Sequence, residues 1–576
     1  MTPSNLKPAA GFLLALTLLT AGCQREQTPP VAQPAKAQPK SSGQAWFRDV
    51  TAASGVNFLH DSGATGRYFM PESIGSGGAL LDFDNDGRLD LYLVHCVPPG
   101  SSARNRLYHQ QPDGTFRDAS IGSGLDVTGH GMGVAVGDVN NDGRPDVLLT
   151  EYGAARLFVN RGQGKFQDVT AAAGIENTRW GMSASFVDYD RDGWLDLVIA
   201  NYVDYVPTQK CFDTRGAQEY CGPQGMAGTV TRLFRNRSSA AGRVSFEDVT
   251  VLSGLAARPG PGMGVVCADF DGDRWADIFI TDDGQANRLF MNQRNGTFAE
   301  EALVRGVGFN ALGGAAANMG IAIGDTDGDA LFDLFITHLA WEQPALWKQG
   351  PRGLFQEQAA AVGLTATAWR GTGFGTVFAD FNLDGAPDLA VVNGAIKRVQ
   401  DATKSSGDGG FWSDYAQRHQ VFVNNGTGRF RDASVDHPDF CERPAVGRGL
   451  ALGDLDNDGA PDLVAMHTGG PVQILRNVAP QRGHWLSVRA VDPARGGRDA
   501  IGAEIVLEGG SRRWWGLAQP GSSYLVSNDP RVHFGLGQVA NLDRIRVAWP
   551  DGTDEIYPGG ATDRLVVLRK GEGSKP

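Results

Sequence analysis

The sequence predicts an all-β protein, a seven-bladed β-propeller followed by a small β-sandwich-like domain. Three observations carry this. An acidic nine-residue loop recurs seven times along the chain. Each copy lies between short apolar runs of strand length and β-branched or aromatic composition. Successive copies begin 56, 50, 81, 56, 55 and 74 residues apart, one supersecondary unit per repeat.

The loops read Asp-x-[Asp/Asn]-x-Asp with a further Asp at position nine. Their acidic and amide residues are Asp82, Asp84, Asp86 and Asp90; Asp138, Asn140, Asp142 and Asp146; Asp188, Asp190, Asp192 and Asp196; Asp269, Asp271, Asp273 and Asp277; Asp325, Asp327, Asp329 and Asp333; Asp380, Asn382, Asp384 and Asp388; and Asp454, Asp456, Asp458 and Asp462. Oxygens at positions one, three and five alternate, so a turning backbone aims them at one centre. Hard oxygen donors in that pattern are calcium ligands, and up to seven Ca²⁺ sites are expected. An EF-hand needs Glu at position twelve. Here Leu93, Leu149 and Ile199 stand there in the first three copies, inside apolar strand runs, so the ninth Asp is expected to complete the ligand set. Gly at position six allows the positive φ of a sharp turn. Arg274 and Ala330 replace it in two copies, with Gly272 and Gly328 two places earlier, and those two turns are expected to differ in shape. Asn140 and Asn382 lower the local charge and with it the expected affinity.

Around each loop lie four short strands: a run such as MGVAVG before it, an apolar run after it, then Leu-[Tyr/Phe]-x-Asn as in Arg156 to Asn160, then Phe-x-Asp as in Gly164 to Thr170. Four strands in about 50 residues is the composition of a propeller blade. The phase is offset. A lone Phe47 to Thr51 segment precedes the first loop and the seventh unit stops at Asn477, so the N-terminal strand is expected to complete the last blade and remove the open edge. The pattern resembles the FG-GAP repeats of integrin-type propellers and covers residues 46–478.

The formal net charge is −13, and the loops hold 26 of the 65 acidic residues. Seven Ca²⁺ would bring the sum to about +1. The acidity is site charge, and with no basic stripe in the chain no nucleic-acid partner is expected.

From residue 480 the acidic loops end while strand-like runs continue (WLSVRAV, GAEIVLE, VHFGLG, RIRVAWP). The stretch 480–570 resembles the ASPIC/UnbV domain of the cartilage acidic protein family through Arg498 to Ile505, Gly521 to Tyr524, Asp529 to Gly537 and Val547 to Gly552. Residues 571–576 form a tail. The resemblance implies a secreted or surface calcium-binding protein and no particular reaction. Arg531 and His533 share a strand face, either as a site or as a solvated pair.

At the N-terminus, Lys7 precedes the apolar run Gly11 to Leu19 and then Ala21-Gly22-Cys23. The run is too short to span a bilayer and fits a leader. Small residues before a lone cysteine resemble a bacterial lipobox, so residues 1–23 are expected to be a lipoprotein signal, Cys23 the lipidated residue and the cell envelope the location, with outer-membrane anchoring. Residues 24–45, rich in Pro, Gln and Ala, are expected to be a disordered linker. Export suits a disulfide between Cys211 and Cys221, a feature the family resemblance also implies. Cys267 is expected to be a buried thiol. Cys96 and Cys441, in the first and last units, are a further candidate bridge.

Topology places all the acidic turns on one face. Five residues beyond each ninth-position Asp come His95, Glu151, Asn201, Asp282, His338, Asn393 and His467, expected as a polar ring on the opposite face. The two long insertions, beginning near Val203 and Ile396, start there too, as do Trp180 and Arg370. The candidate ligand face is therefore His95, Glu151, Asp282, His338, His467, Trp180 and Arg370. Polar residues at strand ends that merely bind loop backbone are the plainer alternative. The sequence shows no nucleophile elbow, HExxH, CxxC or phosphate loop. The expected function is an exported, membrane-anchored calcium-binding module for a surface protein or glycan. The alternatives are an exported lyase or hydrolase acting on polysaccharide at the non-calcium face, and a structural envelope component.

Overall fold

The computed structural model describes residues 44–239, 243–399, 410–480 and 482–576. The expected leader, Cys23 and nearly all of the linker lie outside the described residues. The protein is all-β and propeller-like. Each of the seven repeats contributes four antiparallel strands to one sheet, and a short fifth strand, Val526–Ser527 or Ala316–Ala317, joins the sheets of the first and fourth repeats. In the second repeat the order is Gly131–Gly137, Asp146–Glu151, Ala154–Asn160 and Phe166–Asp168.

Hydrophobicity grades across each sheet, and this grading sets the depth of each strand. The second strand DVLLTE is buried along its whole length, because both its faces pack on neighbouring sheets. The outer strand Phe166–Asp168 buries only its Phe. Leu148 and Val159 of the second repeat pack in one cluster with Phe186 and Leu197 of the third, so the core runs between sheets. Phe47–Asp49 pairs with Gln473–Asn477, Phe47 opposite Asn477, and completes the seventh sheet as the offset phase predicts.

The last 90 or so residues form a two-sheet sandwich. His484–Asp492 pairs with Val532–Gly537 and, in parallel, with Arg564–Arg569. Glu504–Gly509 sits between Arg512–Leu517 and Asn541–Ala548. Alternate residues such as Ile505, Leu507, Ile545 and Val547 face inward with Trp549 and Phe534.

The sandwich sits on the acidic-loop face. Arg498 donates to Asn141 Oδ1 at 2.8 Å, Arg495 to the Asp192 carbonyl at 3.1 Å and Arg531 to the Asp454 carbonyl at 3.0 Å. His533 Nε2 lies 2.6 Å from the Gly459 carbonyl. Arg531 and His533 are thus docking residues, in place of the solvated pair or separate site that their strand spacing suggested.

One sandwich segment enters the ring. Residues 519–529 hydrogen-bond to the first strand, or the residue just before it, of every repeat. Gly78 and Val134 N–H donate to the Leu525 carbonyl (3.3 and 3.2 Å), and Leu525 N–H donates to Ser183 Oγ (3.1 Å). Gln519 donates to the Cys267 carbonyl at 3.1 Å. Ser523 exchanges backbone bonds with Ile321, accepts from Thr376 N–H and donates to the Leu450 carbonyl. A single strand can meet seven sheets only at their common axis, so this segment fills the central channel. Tyr524 at its tip is 0% exposed and packs on Phe374 with ring centroids 5.1 Å apart.

The Cys211–Cys221 disulfide is present, and Cys267 is a buried free thiol. The Cys96–Cys441 bridge is not. Both are free and buried in different apolar clusters, Cys96 beside Met132 and Tyr524, Cys441 beside Phe47 and Phe440. Adjacency of the first and last sheets does not bring these two side chains together.

Tyr524→Ala removes a fully buried aromatic from the axis and is expected to cost about 3–5 kcal/mol in a denaturant titration. The loss should appear in one transition shared by ring and sandwich, because the same segment belongs to both.

Candidate functional site

Each acidic loop is built by its own carboxylates. The first Asp takes the position-six N–H in every loop and the position-five N–H in six of them, as Gly87 and Asp86 do to Asp82, both at 2.9 Å; in the third loop Asp192 N–H goes to Asp190 in place of Asp188. Position six has positive φ in all seven loops, from 66° at Ala330 to 96° at Gly385, and so has position four. Arg274 and Ala330 thus keep the positive φ of the glycines, and their two turns differ by one further bond, from Gly272 N–H to Asp269 at 2.7 Å and from Gly328 N–H to Asp325 at 2.8 Å. The hydrogen bonds to the first Asp hold the turn even where the residue disfavours it.

The ninth Asp begins the second strand and accepts two backbone bonds in every repeat. One oxygen takes the N–H of loop position two at 2.9–3.2 Å. The other takes the N–H of the residue ending the third strand at 2.6–3.2 Å.

Positions one, three and five converge. In the loops starting at Asp188, Asp269 and Asp325 one oxygen from each of the three lies within 4.8 Å of the others, a spacing that a single cation can bridge. In the first loop the same holds for Asp82, Asp84 and Asp90, and for Asp84, Asp86 and His109. Asp188 is 6% exposed, yet its Oδ1 has no hydrogen-bond partner. A buried carboxylate oxygen without a donor calls for a positive group. Burial pushes Asp188 up to about 7, with Arg498 pulling against it and Asp192 and Asp190 adding to it, and burial with like charges at Asp84 and Asp82 raises Asp90 to about 8.

The third position follows a rule not foreseen from the loops alone. Asp84 is met by His109 Nε2 at 3.1 Å, Asp190 by Arg235 at 2.5 Å, Asp271 by Arg305 at 3.1 Å and Asp456 by Arg476 at 3.0 Å, and Asp327 pairs with Lys348. Where the third residue is Asn (Asn140, Asn382), the matching third-strand residue is Val159 or Val423. The partners His109, Arg235, Lys348 and Arg476 fill the x of Leu-[Tyr/Phe]-x-Asn. Met291 departs from this pattern, and in that repeat Asp271 is met by Arg305 from outside the third strand.

On the opposite face, the expected ring residues are held by nearby scaffold groups, some within their own repeat and some in the next. His95 Nδ1 accepts from Asp61 N–H at 2.8 Å, Glu151 pairs with Arg156 at 3.0 Å and Asp282 takes Arg288 through two 2.7 Å bonds. His338 lies 2.7 Å from Asn318 Oδ1 and 2.6 Å from the Gln343 carbonyl. Trp180 is buried among Tyr152, Tyr202 and Tyr205. Arg370 is exposed and bonds the Thr365 carbonyl. His467 hydrogen-bonds a second imidazole, His419, Nε2 to Nε2 at 3.0 Å, and His95 lies beside His60 with ring centroids 5.8 Å apart. The two insertions join over this face. Glu219 of the first accepts from Arg398 N–H at 2.9 Å and from Tyr415 O–H at 2.6 Å in the second. Beneath them burial raises the Glu72 carboxyl to about 7 against a hydrogen bond from Tyr220.

Comparison with known proteins matches residues 493–575 to ASPIC and UnbV, and residues 82–149, 138–199 and 269–336 to an FG-GAP-like repeat. Cartilage acidic protein 1 of Mus musculus is 25% identical over 502 residues, 84% of this chain and 71% of that protein. The Homo sapiens protein is 26% identical over 391 residues, so this chain spans only 56% of its length. Among solved structures, an Agrocybe aegerita lectin that recognises non-reducing terminal N-acetylglucosamine aligns over 65% of this chain and 88% of its own, with 16% identity and a TM-score of 0.39.

Charge compensation at position three is tested by a double-substitution cycle. Asp190→Asn alone leaves Arg235 with only the longer, 3.4 Å contact to Asp192 and is expected to lower both calcium affinity and melting temperature. Adding Arg235→Val should restore both, with a coupling of about 1–2 kcal/mol. Additive effects of the two changes would refute the pairing rule.

Proposed function

We propose that this chain, which carries FG-GAP-like repeats and a C-terminal ASPIC and UnbV domain and is distantly homologous to cartilage acidic protein 1, is an exported, lipid-anchored, calcium-stabilised binding module whose partner is a surface protein or glycan. The observation that carries the calcium reading is the donorless, buried Oδ1 of Asp188 within a cluster of three converging carboxylates. Positions one, three and five of the loops would hold the ion, with the ninth Asp fixing the turn. Carboxylates are the hard donors Ca²⁺ prefers, and a cation bound to the folded state alone stabilises it by mass action. Anchoring rests on Cys23 and its small-residue context in the sequence, and the linker of residues 24–45 gives the ring reach from the bilayer.

Binding, in place of catalysis, is favoured by the state of the opposite face. Among the described residues of that face, Asp282, Glu151 and His338 are held by arginine or amide groups of the scaffold, which suits a supporting role for them.

The reading is tested with the mature chain and envelope extract, with and without EGTA. Calcium should raise the melting temperature by several degrees, and a specific envelope component should be retained only when it is present. An unchanged melting curve in EGTA would remove the calcium reading, and retention of nothing in calcium would remove the binding-module reading.

A further inference from the structure

Five of the ten histidines gather where the chain closes its ring: His60, His95, His419, His437 and His467. All five are buried. Four of them take a main-chain N–H on Nδ1. His437 accepts from Trp46 at 3.1 Å, His95 from Asp61 at 2.8 Å, His60 from Gly469 at 3.1 Å and His419 from Asn393 at 3.0 Å. A ring nitrogen that accepts carries no proton, so each of these imidazoles is neutral with its proton on Nε2. The fifth is fixed by its neighbours. His467 Nδ1 faces the Pro471 carbonyl at 2.7 Å and donates to it, so its Nε2 accepts from His419 Nε2 at 3.0 Å. None of the five can take a second proton without breaking one of these bonds.

The bonds span the closure. Trp46, His60 and Asp61 belong to the N-terminal segment whose strand Phe47–Asp49 completes the seventh sheet. Their partners His437, Gly469 and His95 belong to the sixth, seventh and first repeats, and the His419–His467 bond joins the second insertion to the seventh repeat. Added positive charge is poorly met there. Asp49, Asp61 and Asp436 face the group, but so do Arg106, Arg431 and Arg443. Arg448 stands beside His60 at 0% exposure, and its four hydrogen bonds all go to main-chain carbonyls. The Nε2–H groups of His60 and His437 already lack acceptors. Burial is the main cause that lowers all five histidines, with His95, His437 and His467 held at about 4. A lowered histidine contributes stability that is present above the unfolded value of about 6.5 and is lost as pH falls toward about 4.

We propose that these five histidines form an acid-sensitive latch on the ring: neutral, they hold the N-terminal segment in place, and their protonation frees residues 46–61 and opens the closure locally while the other repeats stay folded. The latch does not depend on the calcium reading.

The free thiols report on it. Cys441 packs beside Phe47 and Phe440 at the closure, and Cys96 directly follows His95. Cys267 lies in the fourth repeat, near the loop carboxylate of Asp277. The full mature chain in calcium is pulse-labelled with dithiodipyridine between about pH 7 and pH 4, with each thiol mapped by peptide mass and its rate divided by that of the unfolded chain at the same pH. At about pH 4.5, Cys441 and Cys96 should react at least about tenfold faster than Cys267. Acid loosening of the acidic loops would act on Cys267 as well. The double variant His60→Asn/His437→Asn keeps an oxygen to accept both main-chain N–H groups and takes no proton. It should slow Cys441 labelling about tenfold at about pH 4.5 and leave it unchanged at neutral pH. If that variant does not fold, His95→Asn is held to the same criterion with Cys96 as the readout. Equal labelling of Cys267 and Cys441 in the parent chain, no labelling of Cys441 down to about pH 4, or acid labelling of a folded variant equal to the parent's would each overturn the latch.

Discussion

In every repeat the ninth-position aspartate puts one carboxylate oxygen on a loop N–H and the other on the N–H that ends the third strand. Asp146, Asp196 and Asp388 do this at 0% exposure. A buried carboxylate is costly unless donors converge on it, so this residue ties loop, second strand and third strand into one geometry. The third strand's last side chain continues the tie. Asn160, Asn236, Asn292, Asn424 and Asn477 each donate to the position-two carbonyl of the preceding repeat at 2.7–2.9 Å. Gln110 does the same to Leu455 at 2.8 Å, joining the first repeat to the seventh. Between repeats four and five the contact is Arg352 to the Asp269 carbonyl, 2.9 Å. Loop shape in one repeat therefore depends on its neighbour, and a cation that tightens one loop acts on the ring.

The channel segment extends this coupling inward. A ring of sheets leaves first-strand N–H and carbonyl groups facing its axis, and these need partners once water is excluded. Ser523 and Leu525 supply them with backbone and hydroxyl groups, and Tyr524 fills the remaining apolar space. The sandwich is thus part of the ring's interior as well as a cover for its loop face.

Much of this was legible in the residues. Seven loops, the fourfold strand pattern and the offset Phe47 strand gave the sheets and their closure, because each rests on local chemistry that sequence spacing preserves. The axial role of Gly521 to Tyr524 was not legible. Nothing local distinguishes a turn that ends in solvent from one that meets seven strands, the nearest bonded residue 73 positions away and the farthest 447 (525 − 78). The expected Cys96–Cys441 bridge failed for a related reason, since side-chain direction on adjacent sheets is set by register that sequence does not give. The loops with Arg274 and Ala330 show a third limit. Turn propensity was read residue by residue, while seven-fold repeated hydrogen bonding to the first Asp overrides it.

The third loop position changes how the acidity of the chain is understood. Counted as formal charge, the loops differ, with Asn140 and Asn382 short of one carboxylate each. Read with their neighbours, most Asp loops meet Arg, Lys or His on the third strand and both Asn loops meet Val, while Asp271 faces Met291 and takes Arg305 from outside that strand. The fifth position is not uniform either. Among the described residues its Asp is ion-paired in five loops, with Arg88, Arg144, Arg235, Arg294 and Arg482, and has no such pair at Asp329 and Asp384. The charge left over therefore differs from loop to loop, and the Asn ties carry that difference between neighbouring repeats.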